Sequence, residues 1–282
     1  MPAELRFSRS DSGQPTPERS VAALRLARWC ASNGWPVHPL APGRKTPAAN
    51  CRECSQPGHT RTGCLCPAAG RWCHGFHAAT LDYERIDQWW GKTPSLGVAV
   101  ACGPAGLVVI DIDAHQSEPP HRDKVLPGIP IGEHIDLSGM TTGYHSLAVL
   151  AALRGEPSPA EDTSTLRVRT PSGGLHVWYR ATDGRRWQCS TGSGKRALAW
   201  QVDVRAHGGY IIAPGTTTTA GTYTPRRPRA QARSAARLAS PGTAAHRTPS
   251  RPAHPSLRGR SHPEPARQSS RQAEATTRHP AC

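Results

Sequence analysis

The sequence predicts an α+β fold in which helices flank a mixed, mainly antiparallel sheet. Short runs of β-branched and aromatic residues recur between glycine and proline turns, as expected for strands joined by short connections. Three longer segments carry apolar residues at helical spacing instead. A cysteine-rich segment over residues 46–80 interrupts this pattern and predicts a small zinc-binding insertion.

Composition limits the class of protein to which this 282-residue chain belongs. No apolar run reaches about 18 residues, and residues 1–19 have no apolar core, so we expect no transmembrane helix, no secretory signal and a cytosolic location. The net charge is +15, and residues 225–282 carry +10 of it, from twelve Arg against two Glu. Most of the attraction for a polyanion such as nucleic acid is therefore expected in the tail.

Composition also predicts the domain boundaries. We expect a disordered N-terminus over residues 1–19, a folded domain over 20–224 and a disordered basic tail over 225–282. After Tyr223 the chain has no Ile, Val, Phe, Tyr, Trp or Met. The tail therefore cannot bury enough apolar surface to offset the entropy lost on ordering.

The folded domain begins with a predicted helix and an edge strand. Residues 20–33 form an amphipathic pattern, with Ser20 as a suitable N-cap and Gly34 as a helix end. Residues 35–40 follow as a strand, and its two prolines exclude a central position in a sheet.

A second helix precedes two apolar strands. Residues 80–90 are predicted to be helical, with Thr80 or Asp82 as the cap. Residues 95–102 then form a strand that is separated from the strand at 107–113 by a short glycine turn. The close spacing of these two strands predicts a hairpin.

Five cysteines are concentrated within 23 residues of the cysteine-rich segment: Cys51, Cys54, Cys64, Cys66 and Cys73. In a reducing compartment such a cluster indicates metal binding rather than disulfides. Three histidines are further candidate ligands: His59, His74 and His77. A structural Zn²⁺ needs four ligands, so their assignment stays open, and a loop of free thiols is the alternative.

Two aspartates end the most apolar strand. Asp111 and Asp113 are separated by Ile112, so in an extended strand both carboxylates lie on the same side. Neighbouring carboxylates repel each other unless a cation lies between them, and such oxygen ligands suit Mg²⁺ or Mn²⁺. The alternative is that both acids are solvated where the strand leaves the sheet.

The C-terminal half of the domain predicts one helix, over residues 144–153, and four strands, over residues 166–170, 175–179, 200–205 and 210–215. His176 alternates with apolar neighbours on the second of these strands, and Asp203 and Arg205 share one face of the third. The fourth strand is predicted to pair with the third. Residues 192–195 (GSGK) lack the spacing of a phosphate-binding P-loop.

Five stretches of the chain resemble the bifunctional DNA primase/polymerase (prim-pol) family of the archaeo-eukaryotic primase superfamily. In order they are GWPVHPLAPGRKTP, HGFHAATLDYERIDQWW, GLVVIDID, TPSGGLHVWY and QVDVRAHGGYIIAPG. The resemblance covers residues 20 to 224 and implies a sheet like that of RNA-recognition motifs, flanked by helices. It also implies a template-directed nucleotidyltransferase that uses NTPs or dNTPs on single-stranded DNA.

The resemblance further implies a role for each site residue. Asp111, Asp113 and Asp203 correspond to the three acids that hold two divalent cations, Mg²⁺ or Mn²⁺. His176, preceded by the small residue Ser172, corresponds to the residue that contacts the nucleotide phosphates. Four cations are candidates for phosphate or template contact: Lys45, Arg167, Arg169 and Arg205.

Two other functions remain compatible with this sequence. One is a non-catalytic, zinc-containing module of the same fold that binds nucleic acid. The other is a metal-dependent nuclease built on the same three acids. Because no P-loop helicase region follows the domain in this sequence, we expect any unwinding partner to be a separate chain.

Overall fold

The computed structural model describes residues 17–190, 197–226 and 233–234. The α-helices in these ranges are α1 (Pro17–Ser32), α2 (Tyr83–Lys92), α3 (Arg122–Val125) and α4 (Gly143–Leu153). The strands are β1 (Val37–Leu40), β2 (Gly97–Ala101), β3 (Leu107–Ile112), β4 (Leu166–Arg169), β5 (Leu175–Arg180), β6 (Val202–Arg205), β7 (Tyr210–Ile212), β8 (Thr217–Thr218), β9 (Gly221–Thr222), β10 (Thr224–Pro225) and β11 (Arg233–Ser234). Within the described ranges, every helix is too short or too polar to cross a bilayer.

The strands form two main sheets. The smaller sheet has the order β1-β2-β7, and the larger has the order β10-β4-β5-β3-β6. All pairs along these paths are antiparallel, whereas β11 lies parallel to the end of β5. Strands β8 and β9 pair only with each other in this set. The predicted α+β class with a mixed, mainly antiparallel arrangement is therefore confirmed.

Two hydrophobic cores cover opposite faces of the larger sheet. Leu107 and Val109 of β3 belong to the first core, with α1, α2 and the smaller sheet. Ile110 and Ile112 belong to the second core, with α4. Because side chains alternate between the two faces of a strand, Asp111 lies on the same face as Leu107 and Val109, which is the face of the first core.

The helix boundaries confirm some predicted caps and correct others. Helix α1 begins at Pro17, so the prediction of Ser20 as its N-cap is wrong; proline fits the first turn because its missing N–H has no intrahelical partner there. Gly34 follows the end of α1 with a left-handed φ of 75°, as predicted. Asp82, rather than Thr80, caps α2 and accepts two backbone N–H groups.

Two predicted strand pairings are wrong. Strand β2 pairs with β1 and β7, while β3 pairs with β5 and β6, so β2 and β3 do not form a hairpin. Strand β7 pairs with β2 and not with β6. The turn over residues 103–106 instead carries the chain from one sheet to the other. In this arrangement apolar side chains of both sheets are buried in the first core.

The predicted N-terminal and C-terminal disorder, over 1–19 and 225–282, falls mostly outside the described residues, as does the GSGK stretch at 192–195. Sheet pairing continues beyond the predicted domain end at 224. Pro225 lies opposite Val168 of β4, and the Arg226 N–H donates a hydrogen bond of 2.8 Å to the carbonyl of Arg167.

Candidate active site

The register of the larger sheet brings three predicted site residues together. Asp111 on β3 lies directly opposite His176 on β5 and directly opposite Asp203 on β6. Residues that are directly opposite on paired strands present their side chains on the same face. All three side chains therefore leave the sheet on the face of the first core, at the end of β3.

Asp111 lies between the side chains of His176 and Arg205. His176 Nε2 lies 3.4 Å from its Oδ1, and Arg205 Nε lies 3.4 Å from its Oδ2. Burial would raise the pKa of Asp111, but the charges and hydrogen bonds of His176 and Arg205 outweigh burial and lower that pKa to about 2. The Asp111 carboxylate is therefore ionised at neutral pH.

Asp203 is held by two hydrogen bonds. Its Oδ1 accepts a bond of 2.9 Å from Ser190 Oγ, and its Oδ2 accepts one of 3.2 Å from Arg205. Ser190 Oγ also accepts the backbone N–H of Val204 at 2.7 Å, which connects residue 190 to β6. Sequence reasoning missed Ser190, because nothing in the local pattern marks it.

Asp113 lies just after β3, where the chain is held by Gln201. The Asp113 N–H donates to the Gln201 carbonyl at 2.9 Å, and Gln201 has a left-handed φ of 58°, which is costly for a residue with a side chain. Burial raises the pKa of Asp113, and the charges of Asp111 and Asp203 raise it further. An added cation would relieve this repulsion.

A cavity of about 320 Å³ opens beside these residues. The predicted acids Asp111 and Asp113 line it, together with His176 and Arg205, and so do the predicted phosphate contacts Ser172 and Lys45. The other lining residues include Thr170, Tyr210 and Tyr223. Asp203 does not line the cavity, because its carboxylate is directed to Ser190 and Arg205.

Aromatic and hydroxyl side chains form the rest of the cavity wall. The rings of His176 and Tyr223 are 5.4 Å apart, and burial, followed by the charges of the two nearby aspartates, raises the pKa of Tyr223 to about 12. Ser172 Oγ lies 3.1 Å from Thr170 Oγ1. The Tyr210 hydroxyl donates to the Lys45 carbonyl at 3.0 Å. Sequence reasoning missed both tyrosines, although Tyr223 is the last aromatic residue before the tail.

The four predicted cations have different positions. Lys45 and Arg205 line the cavity. Arg167 donates a hydrogen bond of 3.0 Å to the Ala160 carbonyl and does not line the cavity. Arg169 is exposed on β4 and is also not part of the lining. Only the first two are therefore placed to meet a ligand inside this cavity.

Gly174 positions the strand that carries His176. A Cβ at residue 174 would overlap the backbone carbonyl of Ile112, which cannot move without displacing β3. We expect Gly174→Ala to lower the free energy of unfolding by about 2 kcal/mol or more, since overpacking against backbone has no easy relaxation. Urea denaturation would measure the change.

The matched control is Gly91→Ala in α2, where a Cβ has open space. Alanine favours a helix over glycine by about 0.5–1 kcal/mol, so this variant should be slightly more stable than the parent. Equal stability of the two variants would contradict the proposed close approach of β3 and residue 174.

The cysteine-rich segment contains two groups of side chains that could hold a metal ion. The first group is Cys51, Cys54, Cys66 and Cys73, and the second is Cys54, His59, Cys64 and His74. All five predicted cysteines are thus brought together. His77 is in neither group, and its ring instead lies 4.0 Å from that of Phe76.

The cysteine-rich segment packs against α2. Trp89 Nε1 donates a hydrogen bond of 2.6 Å to the Gly70 carbonyl, and Arg85 donates one of 2.9 Å to the Pro67 carbonyl. Trp72 meets Trp89 edge to face at 6.3 Å. The segment is therefore anchored to the domain at its surface, outside the candidate catalytic cavity.

Residues 27–241 match the family model of the bifunctional DNA primase/polymerase N-terminal domain (Prim-Pol). No curated protein matches the chain. The matched range extends past Tyr223 to residue 241. It includes Asp111, Asp113, His176 and Asp203 in one continuous range.

Proposed function

The chain belongs to the Prim-Pol family, and from this premise we propose that it is a DNA primase/polymerase that performs template-directed nucleotidyl transfer. One observation carries the proposal: Asp111 lies between His176 and Asp203 on adjacent strands, beside a cavity that Asp113 also lines. The substrates would be NTPs or dNTPs, and the template single-stranded DNA.

Three acids are suited to hold two divalent cations, Mg²⁺ or Mn²⁺. Asp111, Asp113 and Asp203 offer only oxygen ligands, and their mutual repulsion contributes to the raised pKa of Asp113, so they fit such ions electrostatically. Bound there, the cations would lower the pKa of an attacking hydroxyl and neutralise charge on the leaving group. The role of the protein is then mainly to position groups and balance charge.

The reaction would join a 3′-hydroxyl to an incoming nucleotide. The hydroxyl oxygen forms a bond to the α-phosphorus, the bond from that phosphorus to the bridging oxygen of the β-phosphate breaks, and pyrophosphate leaves. The hydroxyl proton passes to solvent. The nucleotide would lie in the cavity of about 320 Å³, which is within the range typical of small-ligand sites.

Basic side chains on the cavity wall would bind the triphosphate. His176 is 4% exposed, and its Nε2 faces Asp111 while its Nδ1 is buried without a hydrogen-bond partner in the described residues. Arg205 joins Asp111 to Asp203, so it would be released toward phosphate oxygens once other cations neutralise these acids. Lys45 and Ser172 lie on the same wall.

A nucleotide incorporation assay tests this function. The full-length chain is incubated with single-stranded DNA, with and without a primer, and labelled NTPs and dNTPs are supplied separately with Mg²⁺ or Mn²⁺. We expect template-dependent products, with incorporation that follows the template sequence. Incorporation in neither nucleotide pool would reject the proposal.

The same assay separates the competing functions. A non-catalytic binding module would retard the DNA in a gel without incorporating nucleotide. A nuclease would shorten the DNA in Mg²⁺ when no nucleotide is present. A separate helicase partner also belongs to the proposal, and stimulation of synthesis on duplex DNA by an added helicase would test it.

A further inference from the structure

The two potential metal sites of the cysteine-rich segment share one residue. The four-sulfur set consists of Cys51, Cys54, Cys66 and Cys73, and the mixed set consists of Cys54, His59, Cys64 and His74. Within each set the ligand atoms all lie within 4.8 Å of one another. A tetrahedral zinc ion with Zn–S bonds of about 2.3 Å separates its sulfurs by about 4 Å, so each set has the size of one complete zinc shell.

We propose that the cysteine-rich segment binds two zinc ions and that the thiolate of Cys54 bridges them. Seven side chains complete two shells of four only if one ligand is shared, and Cys54 is the residue common to both sets. This inference does not depend on the proposed polymerase activity, because it concerns a separate part of the domain.

Cys54 lies between the two sets as a bridging ligand must. Its Sγ is 3.2 Å from that of Cys64, in the mixed set, and 3.4 Å from that of Cys66, in the four-sulfur set. Cys66 Sγ in turn lies 3.5 Å from that of Cys51. Cys54 is also buried, with 8% exposure, whereas Leu65 between Cys64 and Cys66 is 78% exposed. Cys64 and Cys66 thus flank an exposed residue, and each belongs to a different set.

Two donors contact sulfurs of the four-sulfur set. The Cys51 N–H donates to Cys73 Sγ at 3.1 Å, and Arg71 Nε donates to Cys66 Sγ at 3.1 Å. Five thiolates and two Zn²⁺ carry a net charge of −1, which the guanidinium of Arg71 offsets. Without the two ions the five thiolates would carry −5, a charge that such a cluster cannot hold unless the thiols are protonated.

The two histidines give an independent indication of the second ion. His74 Nε2 is buried and has no hydrogen-bond partner in the described part of the chain, a costly state that a bound metal ion would relieve. His74 also has a left-handed φ of 72°, and its N–H is fixed by Asn50 Oδ1 at 2.7 Å. Its ring stacks on that of His59 at 5.3 Å. A single ion in the four-sulfur set would leave His74 Nε2 without a partner and His59 without a role as a ligand.

Zinc content tests the proposal directly. The untagged full-length chain is dialysed against excess Mg²⁺, so that carboxylates release adventitious zinc, and is measured by plasma mass spectrometry and native mass spectrometry. We expect two zinc ions per chain. One ion per chain, or none, would overturn the proposal.

Variants then assign the ions to the two sets. His59→Ala and Cys73→Ser should each retain one zinc ion, whereas Cys54→Ser should lower the occupancy of both positions. His77→Ala is the matched control from the same segment and should retain two. The bridge is excluded if Cys54→Ser loses only one ion and keeps the other at full occupancy.

Cobalt substitution tests the bridge in the parent chain, with His59→Ala as the one-ion reference. Two high-spin Co²⁺ ions joined by a thiolate couple magnetically, so the fully loaded parent chain should give a much weaker electron paramagnetic resonance signal per ion than His59→Ala loaded with one ion. Equal signals per ion would show two isolated ions and reject Cys54 as a shared ligand.

Discussion

Asp111→Asn is expected to lower template-dependent extension about 10³-fold or more while leaving the circular dichroism spectrum unchanged. The substitution keeps the shape of the side chain but removes the negative charge that faces His176 and Arg205. Arg205 would still pair with Asp203, so the sheet should remain intact. Extension would be measured with Mg²⁺ and with Mn²⁺, over a range of metal concentrations.

Asp123→Asn is the matched control for this substitution. Asp123 lies in α3, its side chain is 69% exposed, and it does not line the cavity. This variant should extend primers at the parental rate. If Asp111→Asn kept more than about a tenth of the parental activity, the carboxylate would not be essential, and the proposed site would be wrong.

Strand alternation explains why much of the candidate site could be predicted from the sequence. Asp111, His176, Asp203 and Arg205 lie in runs with a two-residue period, so the apolar neighbours of each residue define its face. The order of the strands is not encoded in this way. The structure places β3 between β5 and β6.

The missed features all depend on contacts between distant parts of the chain. Strands β2 and β3 are close in sequence and apolar, which favours a hairpin locally, yet burial in the first core separates them into two sheets. Ser190 acts through Asp203, and Gln201 acts through the backbone of Asp113. The local sequence does not identify such residues, because many other polar residues in a loop would be compatible with the same neighbouring sequence.

The cysteine-rich segment gives an intermediate case. The density of cysteines was sufficient to predict a metal site, since ligand type and spacing are local properties. Assigning the four ligands of a zinc ion requires the backbone conformation of the connecting turns, which could not be predicted from the sequence. The structure separates His77 from the potential ligands and brings His59 and His74 together with Cys64.

Asp203→Asn is expected to lower extension about 10²-fold. This loss is smaller than that of Asp111→Asn, but larger than the loss expected if Asp203 served only as a structural anchor. In the structure the Asp203 carboxylate is shared between Ser190 and Arg205, so two roles compete. As a cation ligand, Asp203 contributes its charge, and the amide of asparagine cannot replace it. As a structural anchor, it contributes hydrogen bonds that asparagine largely keeps.

Ser190→Ala separates these roles, because it removes the hydrogen bonds that Ser190 Oγ makes with Asp203 Oδ1 and with the Val204 N–H, and leaves the charge of Asp203 in place. Only the first of these bonds touches the carboxylate, and the loss of one such bond costs about 1 kcal/mol, so extension should fall by about fivefold. Titration with Mn²⁺ adds a second measurement: Asp203→Asn should need a higher Mn²⁺ concentration for half-maximal extension, and Ser190→Ala should not. If both variants lost activity equally with an unchanged Mn²⁺ requirement, Asp203 would be an anchor for β6, and the cations would be held by Asp111 and Asp113 alone.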